Sequence, residues 1–545
     1  MDLFQSKHCG RDIWLAFKDI FLVSPLAGSA TLISALVLVS LYLLQIYRRK
    51  QRTTPIRGPR SPGWVFGFAK TVLDSTTTTE LYERWASEYG PVYKVPGVFG
   101  QSKIMLWDPK AISHLFARDT WLYNHSPFSK TALQTMICRF IFLGVLWAEG
   151  ESHKRQRKAL NPALSAAAIR NLTSVFHDAA HKTAIAWDSE IESNQRTHCA
   201  VIDVQQWHIM QDESHLVCIF IPFYQAGVLS APCHIDSTVW VLAVLSHDFG
   251  TLDGNDSEVA HILNVFGSSI DVSNNLLKIC QEMLSRTRKE KETGGAVQGD
   301  KSCLGLLSRD LTSEEATDGA RILLLAGFET TAVPQWALVE LARNPDVQTK
   351  LRDECLEFGP TPSYDDLTNK LPYLDAVANE VLRLHASIKE IMRSAMQEDV
   401  IPLSKPMRTA AGSFTESVCI PKGTMIIVPL AALDCSVSMW GPDAKVFKPS
   451  RWFERDEGTY EAREALHGYR HLMTFSSGAR MCLGRLFALT EFKAVLFVLV
   501  RTFVFEMVDG PGVQIVEGLG TLPRPEVVGG AESGSVPLWV RRYEV

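Results

Sequence analysis

The residue with the clearest chemical potential is Cys482, which stands between two glycines, Gly478 and Gly484, just before a predicted helix. Apolar residues recur at helical spacing over 485–502, so this helix begins next to the cysteine. Backbone N–H groups and the positive end of a helix stabilise a thiolate, which is the form of cysteine that binds metal ions. The glycines permit tight turns and the close approach of a flat ligand. The spacing therefore predicts a metal-binding thiolate, with a buried, inert cysteine as the alternative.

A ten-residue segment around this cysteine resembles the haem-binding sequence of the cytochrome P450 family. The family pattern places Phe, Gly, Arg, Cys and Gly at fixed spacing, and these positions are filled here by Phe475, Gly478, Arg480, Cys482 and Gly484. The resemblance implies that the chain binds haem b, with the Cys482 thiolate as the axial ligand of the iron. A thiolate ligand supplies electron density that favours cleavage of the O–O bond. Arg480 is then placed to pair with a haem propionate.

A second motif consists of Glu380 and Arg383, which stand three residues apart in a predicted helix and share one face of it. In isolation, such a pair is a solvated surface salt bridge of little energetic value. In the family an arginine from a later segment completes the pair, and Arg451 matches that position. The resemblance implies a structural ionic network behind the haem. Buried charges must be paired, so the loss of one of them would damage folding and haem retention more than the chemistry.

A third motif lies at the end of an apolar helix that follows a predicted capping box, Thr312 with Glu315. This helix resembles the long central helix of the family, in which an acid and an alcohol carry protons for the reaction. Glu329 and Thr330 take those positions, although a threonine in a buried helix commonly bonds back to the preceding turn instead. Pro334 follows closely, and we expect it to kink the helix and to alter the placement of Thr330.

Three further residues match family positions that contact the haem propionates. His153 and Arg157 lie on one predicted helix, with His153 in the place of an aromatic residue, and Arg393 follows later in the chain. The other basic residues of the same helix, including Arg155, are interpreted as a solvated face. In the family this side of the domain receives an acidic electron donor, so the resemblance implies the same use here.

The amino-terminal residues 1–47 are predicted to form a membrane anchor. The stretch 21–47 has no charged residue and is long enough to cross a bilayer, which takes about 20 apolar residues. Basic residues follow in 48–62, a Pro- and Gly-rich segment that we interpret as a stiff hinge. Basic residues stay on the cytoplasmic side, so the rest of the chain is predicted to be cytoplasmic. We therefore expect a single-pass protein of the endoplasmic reticulum membrane, with a cleaved signal peptide as the alternative.

Residues 63–545 are predicted to form one catalytic domain with the cytochrome P450 fold, mainly α with a smaller β-rich region that includes strands near 92–94 and 103–107. Segment 211–247 departs from the family, because its apolar runs lack helical periodicity, and we hypothesise that it is an inserted or mistranslated segment. The formal net charge of −5 is spread without a large basic block, which argues against nucleic-acid binding. The 11 scattered cysteines favour neither a disulfide framework nor a zinc module.

The resemblance as a whole implies an oxidoreductase of the microsomal, fungal-like type, a haem- and iron-dependent monooxygenase of secondary metabolism. It would insert one oxygen atom of O2 into an apolar small molecule. NADPH-derived electrons would come from cytochrome P450 reductase, with cytochrome b5 as a further donor. Two alternatives stay open: a haem-thiolate isomerase or dehydratase acting on peroxides, and a degenerate, non-catalytic haem-binding membrane protein. The pair Glu329 and Thr330 argues against the isomerase, and no residue dictates a particular substrate.

Overall fold

The computed structural model describes residues 53–73, 78–126, 144–194, 198–204, 303–329, 332–453, 468–518, 523–530 and 535–544, together with 37, 40, 130, 278, 280–285, 287–289 and 466. In this part of the chain, helices are longer and more numerous than strands, and the strands form four small sheets. The predicted fold class, mainly α with a smaller β-rich region, is therefore confirmed for the described residues.

The helices account for most of the ordered backbone. In chain order they are α1 Ala69–Leu73, α2 Thr78–Tyr89, α3 Pro109–Ala117, α4 Gly150–Leu160, α5 Ala166–Ser193, α6 Cys303–Asp310, α7 Ser313–Glu329, α8 Ala332–Arg343, α9 Pro345–Phe358, α10 Tyr364–Asn369, α11 Pro372–Leu384, α12 Leu430–Asp434, α13 Val437–Trp440 and α14 Arg485–Thr502. Several helices begin at a proline, which suits the first helical position because its missing N–H would have no partner there.

The strands form one larger sheet and three smaller ones. They are β1 Val92–Pro96, β2 Ser102–Leu106, β3 Tyr123–Asn124, β4 Cys199–Asp203, β5 Ile391–Ala395, β6 Asp399–Arg408, β7 Phe414–Ile420, β8 Met425–Val428, β9 Phe503–Met507, β10 Ile515–Gly518, β11 Arg524–Val527 and β12 Pro537–Arg542. The larger sheet has the order β1-β2-β8-β5-β3, and the others are β4-β12-β9, β6-β7 and β10-β11. The antiparallel pairing of Val92 with Leu106 places β1 and β2 in a hairpin where the sequence predicts strands.

Helix α14 forms the centre of the described core because it is mostly apolar and is buried on all sides. Almost all of its residues after Leu486 are buried, and a helix of this kind must be surrounded by protein. Helices α5, α9 and α11 pack against it, and Phe176 of α5 meets Phe487 edge to face at a centroid distance of 4.8 Å. The start of α14, which follows Cys482, is therefore held by the core of the domain.

The helix that carries the third motif begins at the predicted capping box. The Glu315 N–H donates to Thr312 Oγ1 at 3.3 Å, and the Thr312 N–H donates to Glu315 Oε2 at 3.3 Å. Helix α7 is described as far as Glu329 and α8 from Ala332, and Pro334 lies within the described part of α8. The predicted effect of Pro334 on Thr330 lies outside the described residues.

The middle of the predicted hinge is attached to the domain. The Thr54 N–H donates to the Cys419 carbonyl at 3.1 Å, and the Lys94 N–H donates to the Arg57 carbonyl at 2.8 Å. Gly58 lies so close to β1 that an added Cβ would stand 1.9 Å from the Lys94 carbonyl oxygen. Residues 53–58 are therefore docked on β1 and β7, and only a shorter part of 48–62 is left to act as a hinge.

Two predictions concern residues that lie almost wholly outside the described part of the chain. The predicted span 21–47 is one, apart from Val37 and Ser40, which are both helical and exposed. Among the described helices, none combines the length and the apolar character that crossing a membrane requires. The atypical segment 211–247 is the other, and its interpretation stays a prediction.

Candidate active site

The loop that carries Cys482 is closed by its own backbone. The Cys482 N–H donates to the Phe475 carbonyl at 2.9 Å, and the Met481 N–H donates to the Gly478 carbonyl at 3.2 Å. Gly484 is the N-cap residue of α14, and its N–H donates to the Cys482 thiol. The sulfur therefore lies at the amino end of a long core helix, where backbone N–H groups point towards it.

The groups around the Cys482 sulfur have opposing effects on the pKa of its thiol. The protein packed around it raises the pKa of the thiol, while the Gly484 N–H and the guanidinium groups of Arg157 and Arg485 lower it. The side chain nevertheless keeps an exposed face. A coordinated metal ion deprotonates a thiol outright, so a cation at that face would decide the balance in favour of thiolate.

Arg157 supports the cysteine loop directly. Its Nη1 donates to the Met481 carbonyl at 2.7 Å, which joins α4 to the residue before Cys482. Burial lowers the pKa of Arg157, and the neighbouring Cys482 raises it. The sequence-predicted Arg157 thus contacts the backbone beside the sulfur, in addition to any contact with a ligand.

Two more of the predicted arginines meet at one buried carboxylate. Arg393 donates through Nε to Asp119 Oδ1 at 2.8 Å and through Nη2 to Oδ2 at 3.0 Å. Arg480 Nε lies 3.6 Å from Asp119 Oδ1, while its Nη groups donate to the carbonyls of Leu146 at 3.3 Å and Ala148 at 2.6 Å. Asp119, which the sequence prediction missed, therefore orients both arginines.

Two histidines border these arginines and stay neutral. His153 is buried, and burial together with Arg480 and Arg157 lowers its pKa to about 4. His125 has a pKa lowered to about 2 by burial and by Arg393 and Arg480. Its Nε2 is buried and has no hydrogen-bond partner among the described residues. His125 was not predicted, because no motif in the sequence marks it. We call Asp119, His125, His153, Arg157, Arg393 and Arg480 the arginine cluster.

Gly478 and Phe475 have a structural role in the loop. Gly478 has a φ of +68°, and an added Cβ would stand 2.3 Å from the Phe116 carbonyl oxygen of α3. The close approach that requires glycine is therefore to α3, whereas the sequence suggested an approach to a flat ligand. Phe475 is buried, and its ring contacts that of Tyr469 edge to face at 5.9 Å.

Glu380, Arg383 and Arg451 are in mutual contact. Glu380 Oε1 accepts from Arg383 Nη2 at 2.8 Å and from Arg451 Nε at 2.9 Å, and Oε2 accepts from Arg383 Nε at 2.9 Å. The Trp452 indole and the Lys448 N–H also donate to this carboxylate, at 3.1 and 2.9 Å. Glu380 and Arg383 are fully buried. We call these three residues the glutamate network.

Comparison with known proteins assigns the family. The family model described as Cytochrome P450 matches residues 56–215 and 270–527. The chain is a cytochrome P450. The stretch between the two matched ranges overlaps the atypical segment 211–247, whose origin the match leaves open.

Fungal proteins are among the relatives of this cytochrome P450. Cytochrome P450 monooxygenase claW of Ampulloclitocybe clavipes is 39% identical over 96% of this chain and 100% of the relative. Cytochrome P450 monooxygenase claQ of the same fungus is 41% identical over 91% of this chain and 94% of the relative. Ganoderic acid synthetase CYP5150L8 of Ganoderma lucidum is 31% identical over 78% of this chain and 83% of the relative. The chain is accordingly a monooxygenase of secondary metabolism, and it uses haem with a cysteine thiolate ligand.

The arginine cluster of this cytochrome P450 fits the propionates of haem b. Asp119 is the carboxylate that pairs with the guanidinium groups of the cluster within the described residues, and nearby Glu149, which forms an ion pair with Lys130 at 2.8 Å, also raises the pKa of Arg480. The guanidinium groups of the cluster thus exceed its carboxylate in charge. Arg480 Nε and His125 Nε2 are buried donors or acceptors without a hydrogen-bond partner in the described part of the chain. Such groups are stabilised by an anionic ligand that accepts hydrogen bonds.

The predicted proton-carrying pair is only partly located. Glu329 is the last residue of α7, and its side chain is outside the described atoms, as is the whole of Thr330. Their roles therefore stay predictions in this cytochrome P450.

Proposed function

We propose that this cytochrome P450 inserts one oxygen atom of O2 into a C–H bond of an apolar small molecule. The second oxygen atom leaves as water, and NADPH supplies the two electrons through cytochrome P450 reductase. The observation that carries the proposal is the position of Cys482, whose sulfur has an exposed face at the amino end of α14 and lies beside Arg157 of the arginine cluster. The monooxygenase names of the relatives support the same reaction class.

The chain's own residues would hold the cofactor from two directions. Cys482 would ligate the iron, while Arg393, Arg480 and the two cluster histidines would bind the propionates. When bound, the haem supplies the oxygen-activating chemistry that the thiolate's electron density favours. Burial lowers the pKa of Arg480 to about 10, and because this value is still well above 7 the guanidinium stays cationic at neutral pH. An anionic carboxylate therefore meets a charged donor at this position.

Proton delivery is proposed for Glu329 and Thr330, at the end of α7. The carboxyl of Glu329 would pass protons to the hydroxyl of Thr330, which would pass them to the oxygen atom that leaves as water. Proton transfer of this kind requires groups within hydrogen-bond reach of one another.

The electron donor is proposed to bind on the surface beside the Cys482 loop. Arg485 lies over the Tyr469 ring at 5.1 Å, next to Arg470, which also pairs with Asp375. Lys154 of α4 is 70% exposed and lies 3.7 Å from Glu151, an equally exposed partner. These basic groups suit an acidic partner, namely the reductase, with cytochrome b5 as a further donor. Arg155, which the sequence analysis assigned to the same face, pairs with the buried carboxylate of Glu315, so part of its charge is already neutralised.

Membrane attachment completes the proposal. We place the chain in the endoplasmic reticulum membrane by a single span within 21–47, with the catalytic domain in the cytoplasm, because the uncharged stretch is followed by basic residues. A membrane-bound reductase and a lipid-soluble substrate would both be concentrated there. One relative is named for ganoderic acid, and for this chain we propose only the class of apolar secondary metabolites.

The ligand assignment is tested by the absorbance of the reduced, carbon-monoxide-bound protein. The wild type should show the thiolate-type Soret shift, Cys482→Ser should lose it, and Cys199→Ser, a change at another cysteine, should keep it. Persistence of the shift in Cys482→Ser would refute the assignment.

The reaction class is tested by turnover of candidate apolar substrates under labelled O2. One labelled oxygen atom should enter the product only when NADPH and reductase are both present. Turnover of a hydroperoxide without reductase, in the absence of any NADPH-dependent product, would instead establish the isomerase alternative.

A further inference from the structure

Asp119 is a buried carboxylate that lies where two arginines of the cluster need a counter-charge. Its side chain is fully buried, and both of its oxygens accept hydrogen bonds from Arg393, at 2.8 and 3.0 Å. Arg480 Nε lies 3.6 Å from Oδ1, which is within ion-pair distance and too long for a hydrogen bond. One carboxylate is therefore shared by two guanidinium groups that are proposed to bind the haem propionates.

Among the described residues, the charges of the arginine cluster do not balance without a further anion. The cluster contains three arginines and one carboxylate, and burial with the neighbouring arginines keeps His125 and His153 neutral by lowering their pKa values to about 2 and about 4. Glu149, another carboxylate nearby, is paired with Lys130 at 2.8 Å, so this pair adds no net charge. Two positive charges are left, and haem b carries two propionates. The cluster is neutral only when Asp119 and haem are both present.

Asp119 contributes most to stability when the propionates are absent. In the haem-free protein it is the carboxylate that faces Arg393 and Arg480, and a buried guanidinium without a counter-charge is costly. In the haem-loaded protein the propionates share this role. Loss of the Asp119 charge should therefore destabilise the haem-free protein more than the haem-loaded one, whereas loss of a purely structural ion pair destabilises both forms equally.

The backbone beside Asp119 is held in a strained conformation. The next residue, Thr120, is buried and has a φ of +74°, in the left-handed region that a β-branched residue rarely adopts. The Thr120 N–H donates to Asp119 Oδ1 and to the Tyr123 carbonyl, at 2.9 Å in each case. The Gly150 N–H donates to the Thr120 carbonyl at 3.1 Å. Strain of this kind persists where surrounding contacts enforce it and is concentrated at functional sites, so the turn is built to aim the carboxylate.

The turn that carries Asp119 and the strand that carries Arg393 belong to one sheet. Strand β3, which follows the turn, pairs with β5 so that Tyr123 lies opposite Ala395 and Asn124 opposite Ser394. These backbone bonds are made within the chain and fix the spacing between the turn and the strand. The ion pair of Asp119 with Arg393 is thus assembled by folding itself.

We infer that Asp119 is a stand-in anion, which supplies the counter-charge of Arg393 and Arg480 until haem binds, so that the domain folds first and takes up haem afterwards. The inference rests on the proposed binding of the propionates by the arginine cluster, and it adds the order of assembly. When haem binds, Asp119 stays paired with Arg393, and the propionates supply the charge that the cluster still lacks.

A comparison of the haem-free and haem-loaded forms of the full-length chain tests this order. The chain is produced in a bacterial host that cannot make haem, with or without added haem, and the rate of cleavage by a protease is measured for each form. Cleavage of a transiently opened protein follows the free energy of opening. Asp119→Asn keeps the size of the side chain and removes its charge. It should be cleaved about a hundredfold faster than wild type when haem-free, as for a broken buried ion pair, and less than about tenfold faster when haem-loaded.

Asp375→Asn is the matched control. Asp375 is a buried carboxylate that pairs with Lys493 and Arg470, outside the arginine cluster. Its substitution should speed the cleavage of the haem-free and haem-loaded forms by the same factor. The double variant Asp119→Asn, Arg393→Met should be cleaved more slowly than Asp119→Asn when haem-free, because one of the two guanidinium groups that lack a counter-charge is removed.

The outcomes separate this inference from the proposed function. Folded haem-loaded Asp119→Asn with no folded haem-free form would support the stand-in role. Equal factors for the two forms, failure of both forms to fold, or no recovery in the double variant would overturn it while leaving propionate binding intact. Haem retention at the wild-type level in both Arg393→Met and Arg480→Met would instead overturn the proposed propionate binding, and the inference with it.

Discussion

The glutamate network and the arginine cluster are both buried groups of arginine and carboxylate, yet they are completed differently. In the glutamate network the carboxylate of Glu380 receives hydrogen bonds from two guanidinium groups, an indole and a backbone N–H, and Arg383 also donates to the Asp434 carbonyl at 2.9 Å. In the arginine cluster Asp119 pairs fully with Arg393, whereas Arg480 Nε has no hydrogen bond within the described residues.

The difference separates a structural role from a binding role. The charges of the glutamate network are satisfied because Arg451 also donates to the Asp443 carboxylate at 2.9 Å, so the network stabilises the fold and has nothing left to offer a ligand. A cluster with excess positive charge and unfilled buried positions is incomplete until an anion binds. We therefore expect substitutions in the glutamate network to change the free energy of unfolding, and substitutions in the arginine cluster to change haem affinity.

The largest effect is expected for Glu380→Gln. Loss of the carboxylate leaves Arg383 buried without a counter-charge and leaves Arg451 with Asp443 as its carboxylate partner, and breaking a buried pair in this way costs about 3–5 kcal/mol. The free energy of unfolding, measured by denaturant titration, should fall by that amount, and haem content should fall with it. An unchanged stability with selective loss of haem would assign Glu380 to binding and remove the contrast.

Asp434, which lies beside the glutamate network, should make stability depend on pH. Burial raises its pKa from 3.8 to about 8, although the Met473 N–H donates to it. Because the folded-state pKa lies above the unfolded one, its contribution is fully present below about pH 4 and is lost as the pH rises towards about 8.

Asp434→Asn should therefore flatten the loss of unfolding free energy between about pH 4 and 8. Asp509→Asn, at an exposed turn, serves as the control and should keep the wild-type profile. Parallel profiles for the wild type and Asp434→Asn would show that this carboxyl does not titrate as described.

A smaller and different effect is expected for Arg480→Met. Loss of one charged hydrogen-bond donor should weaken haem binding by about 1.5–3 kcal/mol, measured as the rate and extent of haem transfer to a scavenger protein. The free energy of unfolding of the haem-free protein should change less than in Glu380→Gln. Equal losses of stability in the two variants would show that the arginine cluster is as structural as the glutamate network.

The smallest effect is expected for Arg170→Ala on α5. Arg170 makes two hydrogen bonds to Asp365, at 3.0 and 2.8 Å, with geometry as good as that of the buried pairs. Both side chains are about half exposed, so water replaces the lost contact. Denaturant titration should not resolve a change in stability. A loss comparable with that of Glu380→Gln would show that pairing geometry, not burial, sets the energy.

Much of the fold follows from local sequence patterns. The apolar periodicity after Cys482 predicted a helix over 485–502, and α14 spans Arg485–Thr502. The capping box of Thr312 and Glu315 begins α7, and the predicted strands near 92–94 and 103–107 are β1 and β2. The docking of residues 53–58 on β1 and β7 had no such signal, because it depends on hydrogen bonds between distant segments.

The residues of the candidate site also divide into those that the sequence predicted and those that only the structure revealed. Cys482, Arg157, Arg393 and Arg480 were predicted because family motifs carry them. Asp119 and His125 were missed, since each is one residue in a loop without a motif and acts only when β5 and the Cys482 loop lie beside it. Gly478 was recognised as a required glycine, but the atom it approaches belongs to α3.

The sequence by itself determined that this chain is a cytochrome P450 with a cysteine ligand, because the spacing of five residues around Cys482 is a local property that no folding step can alter. The tertiary structure alone decided which buried charges are satisfied and which are left for a ligand. That outcome depends on the carbonyls and carboxylates that distant segments bring to each guanidinium, and no spacing along the chain encodes it.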